Sequence, residues 1–98
     1  MPELKVTPEA ESDLADIWVY TCTAWGADQA DKYLDQLERG NNQLIDNPGL
    51  GVDCSYVLPG YRRLHQEHHL VFYRVEDSCL LIVRVLHEDM DASRRLLE

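Results

Sequence analysis

Leu4 and Val6 alternate with Glu3 and Lys5, the two-residue period of a half-buried strand, and the pattern stops at Thr7-Pro8. That dipeptide predicts a helix start. Thr7 suits the N-cap, Pro8 the first helical position, and Glu9, Glu11 and Asp13 put negative charge near the positive end of the helix dipole. Leu14, Ile17, Trp18, Thr21, Cys22 and Trp25 then recur at helical spacing as one wide buried stripe. Gly26 breaks the pattern. Ala27, Ala30, Leu34, Leu37, Asn41 and Leu44 form a second stripe, closed by Asn47-Pro48-Gly49, so two helices with a short link should make an αα-hairpin.

Between Gly49 and Gly60 the chain is rich in Gly, Pro, Asp and Ser and reads as a loop turning back over the helices. Three strand patterns follow, at about 61–66, 68–75 and 79–87, with connections short enough for an antiparallel meander. Alternation places His69, Val71, Tyr73 and Val75 on one face of the middle strand and Leu70, Phe72 and Arg74 on the other. In the last strand it sets Leu81, Val83 and Val85 against Leu80, Ile82, Arg84 and Leu86. Both faces are substantially apolar, yet one αα-hairpin covers one face. The remaining tail, 91–98, offers at most two helical turns with Leu96 and Leu97, so the uncovered face is expected to meet a partner chain. The predicted architecture is α+β: one domain over 1–98, β-αα-βββ with a short C-terminal helix, a small antiparallel sheet packed on the helical hairpin.

Composition narrows the function classes. At 45% apolar and 28% charged, with no apolar run near the roughly 20 residues of a membrane span, the chain reads as a soluble globule. Its start, Met1-Pro2-Glu3-Leu4-Lys5, lacks a secretory pattern, and three cysteines without C-x-x-C suit a reducing compartment, so a cytoplasmic address is expected. The net charge of −9 opposes direct binding to nucleic acid or to anionic lipid. Residues 1–50 hold ten acids and three bases, residues 51–98 eight acids and six bases, so any anion-seeking surface lies in the second half.

Candidate chemistry is sparse. His65, His68, His69 and His87 lack the spacing of the usual zinc motifs, and neighbours His68 and His69 should point to opposite faces, so no metal is expected. No phosphate-binding or nucleophile-elbow motif is present, and no cofactor is expected. The carboxylates of the first helix read as a solvated face opposite Leu14, Ile17 and Trp18. Trp18, Trp25 and Tyr73 read as core. The six bases of the second half, Arg62, Arg63, Arg74, Arg84, Arg94 and Arg95, are all arginine; those left unpaired by local acids would anchor an acidic partner segment in bidentate fashion.

The segments DLADIWVY (13–20), AWGADQA (24–30) and NPGLG (47–51), followed by GYRRL (60–64), HHLVFYRV (68–75) and IVRVLHEDMD (82–91), resemble in order the ParE toxins of the RelE/ParE superfamily. The resemblance covers about residues 3 to 96. It implies a toxin of a type II toxin–antitoxin pair that inhibits DNA gyrase without enzymatic chemistry. It also implies a ParD-like antitoxin, a ribbon-helix-helix dimer with an extended C-terminal toxin-binding tail, in a higher-order complex. By the same resemblance Arg62, Arg63, Leu70, Phe72, Arg74 and Arg84 are expected to contact the antitoxin, and the tail residues His87, Met90, Asp91 and Arg94 to carry inhibition.

The superfamily's RelE-like branch cuts messenger RNA on the ribosome, and such a reading here would use Arg62, Arg63, His69 and His87. Leu70 and Glu88 occupy places where RelE has catalytic arginines, and Leu96 and Leu97 stand in the region of its terminal tyrosine. Metal-free cleavage needs a base, phosphate-binding cations and an acid together, so the ParE branch is preferred and no enzyme activity is expected. A third reading is a non-toxic, antitoxin-bound corepressor module.

Overall fold

The computed structural model describes residues 3–90 and 92–96, with only the backbone described for Ser93. Its elements are strand β1 (Glu3–Val6), helices α1 (Pro8–Trp25) and α2 (Ala27–Asp46), a 3-10 turn (Pro48–Leu50), strands β2 (Val52–Asp53), β3 (Tyr61–Gln66), β4 (His69–Val75) and β5 (Cys79–His87), and the short helix α3 (Ala92–Leu96). The α+β architecture and its helical hairpin are those expected from the residue pattern.

Local chemistry explains the element boundaries. Thr7 caps α1: its hydroxyl oxygen accepts the Ala10 N–H at 3.1 Å and its O–H donates to the Val83 carbonyl at 2.8 Å, so one residue fixes both the helix start and its place on β5. Gly26, at φ +95°, is the single residue between the helices, a left-handed position that glycine takes at little cost.

The sheet has the order β1-β5-β4-β3-β2. It is mixed rather than wholly antiparallel, because β1 runs parallel to β5 across the crossover made by the hairpin, and the expected loop contains β2, paired with β3. One register break matters. Phe72 lies opposite Arg84 but Tyr73 lies opposite Ile82, so Val83 is an extra residue on β5. This bulge reverses the alternation beyond it. Val85 therefore packs with Leu80 and Ile82 in the helix-side core, against the parity expected from strict alternation, and Leu86 turns to the other face.

The helix side buries Ala10, Ile17, Leu37, Leu44, Val71, Tyr73, Leu80, Ile82 and Val85. Tyr73 keeps its polar end satisfied there, donating to the Pro48 carbonyl at 2.7 Å and accepting the Gly51 N–H at 2.9 Å. The opposite face buries Cys54, Phe72 and Leu86 beneath Tyr61, Leu70, Ala92 and Leu96. The residue pattern predicts a partner chain on this face; the loop carrying Cys54 and the helix α3 already cover part of it from within, leaving Phe72 1% exposed. Trp25, expected in the core, is a correction. It stands 75% exposed at the last turn of α1.

Candidate interaction groove

β1 ends at Val6, opposite Ile82, so among the described residues the outer edge of β5 has no neighbouring strand from Val83 to His87. Asp13 of α1 fills part of that gap. Its Oδ2 accepts both the Val85 N–H at 3.0 Å and Arg84 Nε at 2.8 Å, and its Oδ1 accepts Arg84 Nη2 at 3.1 Å. The two side chains are 14% and 22% exposed, so this forked, charge-assisted pair is far less screened than a surface bridge. Asp13 is thus no solvated carboxylate, unlike the exposed Glu9, Glu11 and Asp16 of the same helix.

Beside this edge lies a groove of about 530 Å³, walled by α1 on one side and by the residues after β5 on the other; Ile17, Tyr20, His87 and Met90 give it an apolar and aromatic lining. A second hollow of about 590 Å³ lies beyond Tyr20, His69 and His87, which border both, and reaches Trp25 and Tyr33. Tyr20 is 74% and Met90 44% exposed, so both stand ready to touch a partner.

Two histidines meet where the hollows join, their ring centroids 5.3 Å apart and nearly perpendicular. Burial, then the neighbouring His87 and His68, push the His69 pKa down from its ordinary 6.5 to about 4, so the ring is neutral at pH 7. The Tyr33 phenol, whose own pKa burial raises, is hydrogen-bonded to His69 Nδ1 at 2.6 Å, and its oxygen accepts the His68 N–H at 3.3 Å. His65 and His68 instead engage Glu88, at 2.8 and 3.3 Å, and these contacts hold its carboxyl below the usual carboxylate range. No group of three or more side chains suited to a metal occurs among the described residues.

The arginines expected on the sheet have varied surroundings. Arg62 donates to the Gly51 carbonyl through Nε at 3.1 Å and Nη2 at 2.6 Å, and to the Gly49 carbonyl at 3.2 Å, stapling the loop. Arg74 bridges Glu76 at 2.8 Å and lies over the Tyr61 ring. Arg84 is committed to Asp13, Phe72 is inside, and Arg63 and Leu70 are half-buried. Of the tail residues, His87 and Met90 line the groove and Arg94 is exposed on α3, whereas Asp91 lies outside the described residues. Arg62 and Arg63 do not come together with His69 and His87: Gln66 is the β3 residue opposite His69, about 13 Å along the strand from Arg62.

Sequence reasoning missed Asp13, Tyr20 and Tyr33. The only signal was Val19-Tyr20, two large apolar side chains on the polar side of the α1 stripe. Asp13 and Arg84 are 71 positions apart, and no periodicity links them.

The family model described as the ParE toxin of the type II toxin–antitoxin system parDE matches residues 4–92. Toxin ParE1 of Mycobacterium tuberculosis is 40% identical over 92 residues, covering 93% of this chain and 94% of that protein. Toxin ParE1 of Caulobacter vibrioides is 36% identical over 96 residues, covering 98% and 99%. Among solved structures, a chain of the chromosomal ParDE toxin–antitoxin system of P. aeruginosa superposes with a TM-score of 0.80 at 26% identity, over 89% of this chain and 96% of that one.

Proposed function

The chain belongs to the ParE toxin family of type II toxin–antitoxin systems, and from that premise we propose that it inhibits DNA gyrase by direct binding in the cytoplasm and is held inactive by a ParD-like antitoxin in a higher-order complex. The observation that carries this reading is the family match along residues 4–92.

The geometry favours inhibition by contact. Metal-free RNA cleavage needs cations and proton carriers around one phosphate. Here Arg62 is occupied by two loop carbonyls at one end of the sheet, while the neutral His69 and its neighbour His87 stand at the other. A protein target instead meets exposed Tyr20 and Met90 at the groove that His87 also lines, and exposed Arg94 on α3; Asp91 completes the tail set in this reading. Antitoxin contact then falls to the accessible Arg63, Leu70 and Arg74. Arg62, Phe72 and Arg84 act from within, by holding the loop, the second face and the α1–β5 junction.

Supercoiling by purified gyrase, with this chain added alone and then with antitoxin, tests the reading. Loss of supercoiling with accumulation of cleaved DNA, reversed by antitoxin, is the expected result. Full gyrase activity at saturating toxin would remove the gyrase target.

A further inference from the structure

Glu67 stands where the backbone favours glycine. Gln66 and His69 pair across β3 and β4, so Glu67 and His68 alone make the turn between the strands. Tight two-residue turns take positive φ at the first central position, and Glu67 lies there at φ +53°, the single non-glycine residue with positive φ among the described residues. A residue with a Cβ is strained in that region, and such strain concentrates at binding sites. No cation pairs with the Glu67 carboxylate among the described residues. The side chain lines the hollow of about 590 Å³, whose other walls are the end of α1, with the largely exposed rings of Tyr20 and Trp25, and one face of α2, with Gln29 and Gln36. No Lys or Arg lines it among the described residues, and residues 6–31, which supply the α1 wall and the start of α2, hold six acids and no Lys or Arg.

Resting on the gyrase reading above, we infer that this hollow receives an arginine side chain projecting from the gyrase surface, with the Glu67 carboxylate as its charge partner. The guanidinium is planar, so it stacks on an aromatic ring of Trp25 or Tyr20 while its N–H groups reach Glu67 and the side-chain oxygens of Gln29 and Gln36. A lysine ammonium lacks that plane and holds its water more strongly. An acidic or phosphate-bearing surface is repelled by the same charges that attract the arginine. The hollow adjoins the groove at Tyr20, His69 and His87, so one target surface spans both. The acidity of the helical hairpin is then the means by which the toxin selects a basic surface on its target.

Supercoiling inhibition by variants of the full chain, each with its thermal melt and antitoxin affinity measured, tests this site. Glu67→Gly removes the carboxylate and relieves the backbone strain together, so it melts no lower than the parent yet needs about tenfold more protein for half-inhibition of gyrase. Trp25→Ala, at an exposed position, gives a similar loss with the melt unchanged, and Trp25→Phe recovers most of it because a ring is kept. Asp77→Asn, an exposed carboxylate in the turn at the other end of β4, inhibits as the parent does. Undiminished inhibition by both Glu67→Gly and Trp25→Ala overturns the arginine site and leaves the gyrase reading standing; a parent chain that does not inhibit gyrase overturns both. Loss of antitoxin affinity in these variants, with inhibition kept, assigns the hollow to the antitoxin and overturns the inference as well.

Discussion

The two faces of the sheet are closed by different means. On one, two helices of 18 and 20 residues lay continuous stripes over Val71, Tyr73, Leu80, Ile82 and Val85. On the other, a five-residue helix and a loop cover Phe72 and Leu86, with Cys54, Ala92 and Leu96 as the lid. A lid that short cannot stand by itself as a helix, since isolated helices under about 12 residues are marginal in water. It holds only by what it buries. Stability and surface for partners are thus held in different places: the helix face is a core, while the tail that closes the other face also carries the groove wall.

Replacing Leu37, buried in the helix-side core, by Ala should produce the largest loss, about 3–4 kcal/mol in denaturant unfolding, by lost transfer energy and the cavity left behind. Asp13→Ala follows at about 2–3 kcal/mol, because it takes the carboxylate away from Arg84 Nε and Nη2 and from the Val85 N–H in a part-buried junction. Loss of less than about 0.5 kcal/mol would mean that water replaces the carboxylate, and the junction would not deserve its place beside the core.

Acid acts through His69. Its folded pKa of about 4 lies below the ordinary 6.5, so between these values the unfolded chain binds the extra proton. Stability contributed by the neutral ring is complete above pH 6.5, falls as pH drops toward 4, and is flat in this respect below. Half-exposure to solvent reduces the effect to about 1–2 kcal/mol. Comparison of His69→Asn with the parent chain by unfolding at pH 7 and pH 4.5 isolates it: the variant should lose less on acidification. Smallest is Leu96→Ala, on the tail lid, at about 1 kcal/mol, with a larger change in exchange of the Phe72 amide than in the melt. A loss matching that of Leu37 would erase the contrast between the faces.

Most of the fold is legible in the residues because it follows from local rules. Thr7-Pro8 marks the start of α1, Gly26 the break, and the 3.6- and 2-residue periods the buried stripes. What escaped depends on contacts between distant positions. The bulge at Val83 flips Val85 and Leu86 for reasons lying in the pairing of β4 with β5, not in the run of apolar letters. Trp25 continues a perfect helical period yet stands exposed at the last turn of α1, since periodicity sets the direction of a side chain but not what lies beneath it. The arginines show the same limit for function. Residue type flagged them as anchors, but Arg62 and Arg84 already serve loop carbonyls and Asp13. The groove was invisible because Tyr20 and Met90 acquire meaning only when α1, β5 and the tail are brought side by side.

In the proposed function the groove end of the molecule, not the arginine end of β3, meets gyrase. Supercoiling assays with the parent chain, Met90→Glu and Arg63→Glu, each confirmed folded by thermal melt, test it most directly. The account predicts that Met90→Glu loses inhibition by about tenfold or more while Arg63→Glu inhibits as the parent does. Full inhibition by Met90→Glu, with loss in Arg63→Glu, would contradict it.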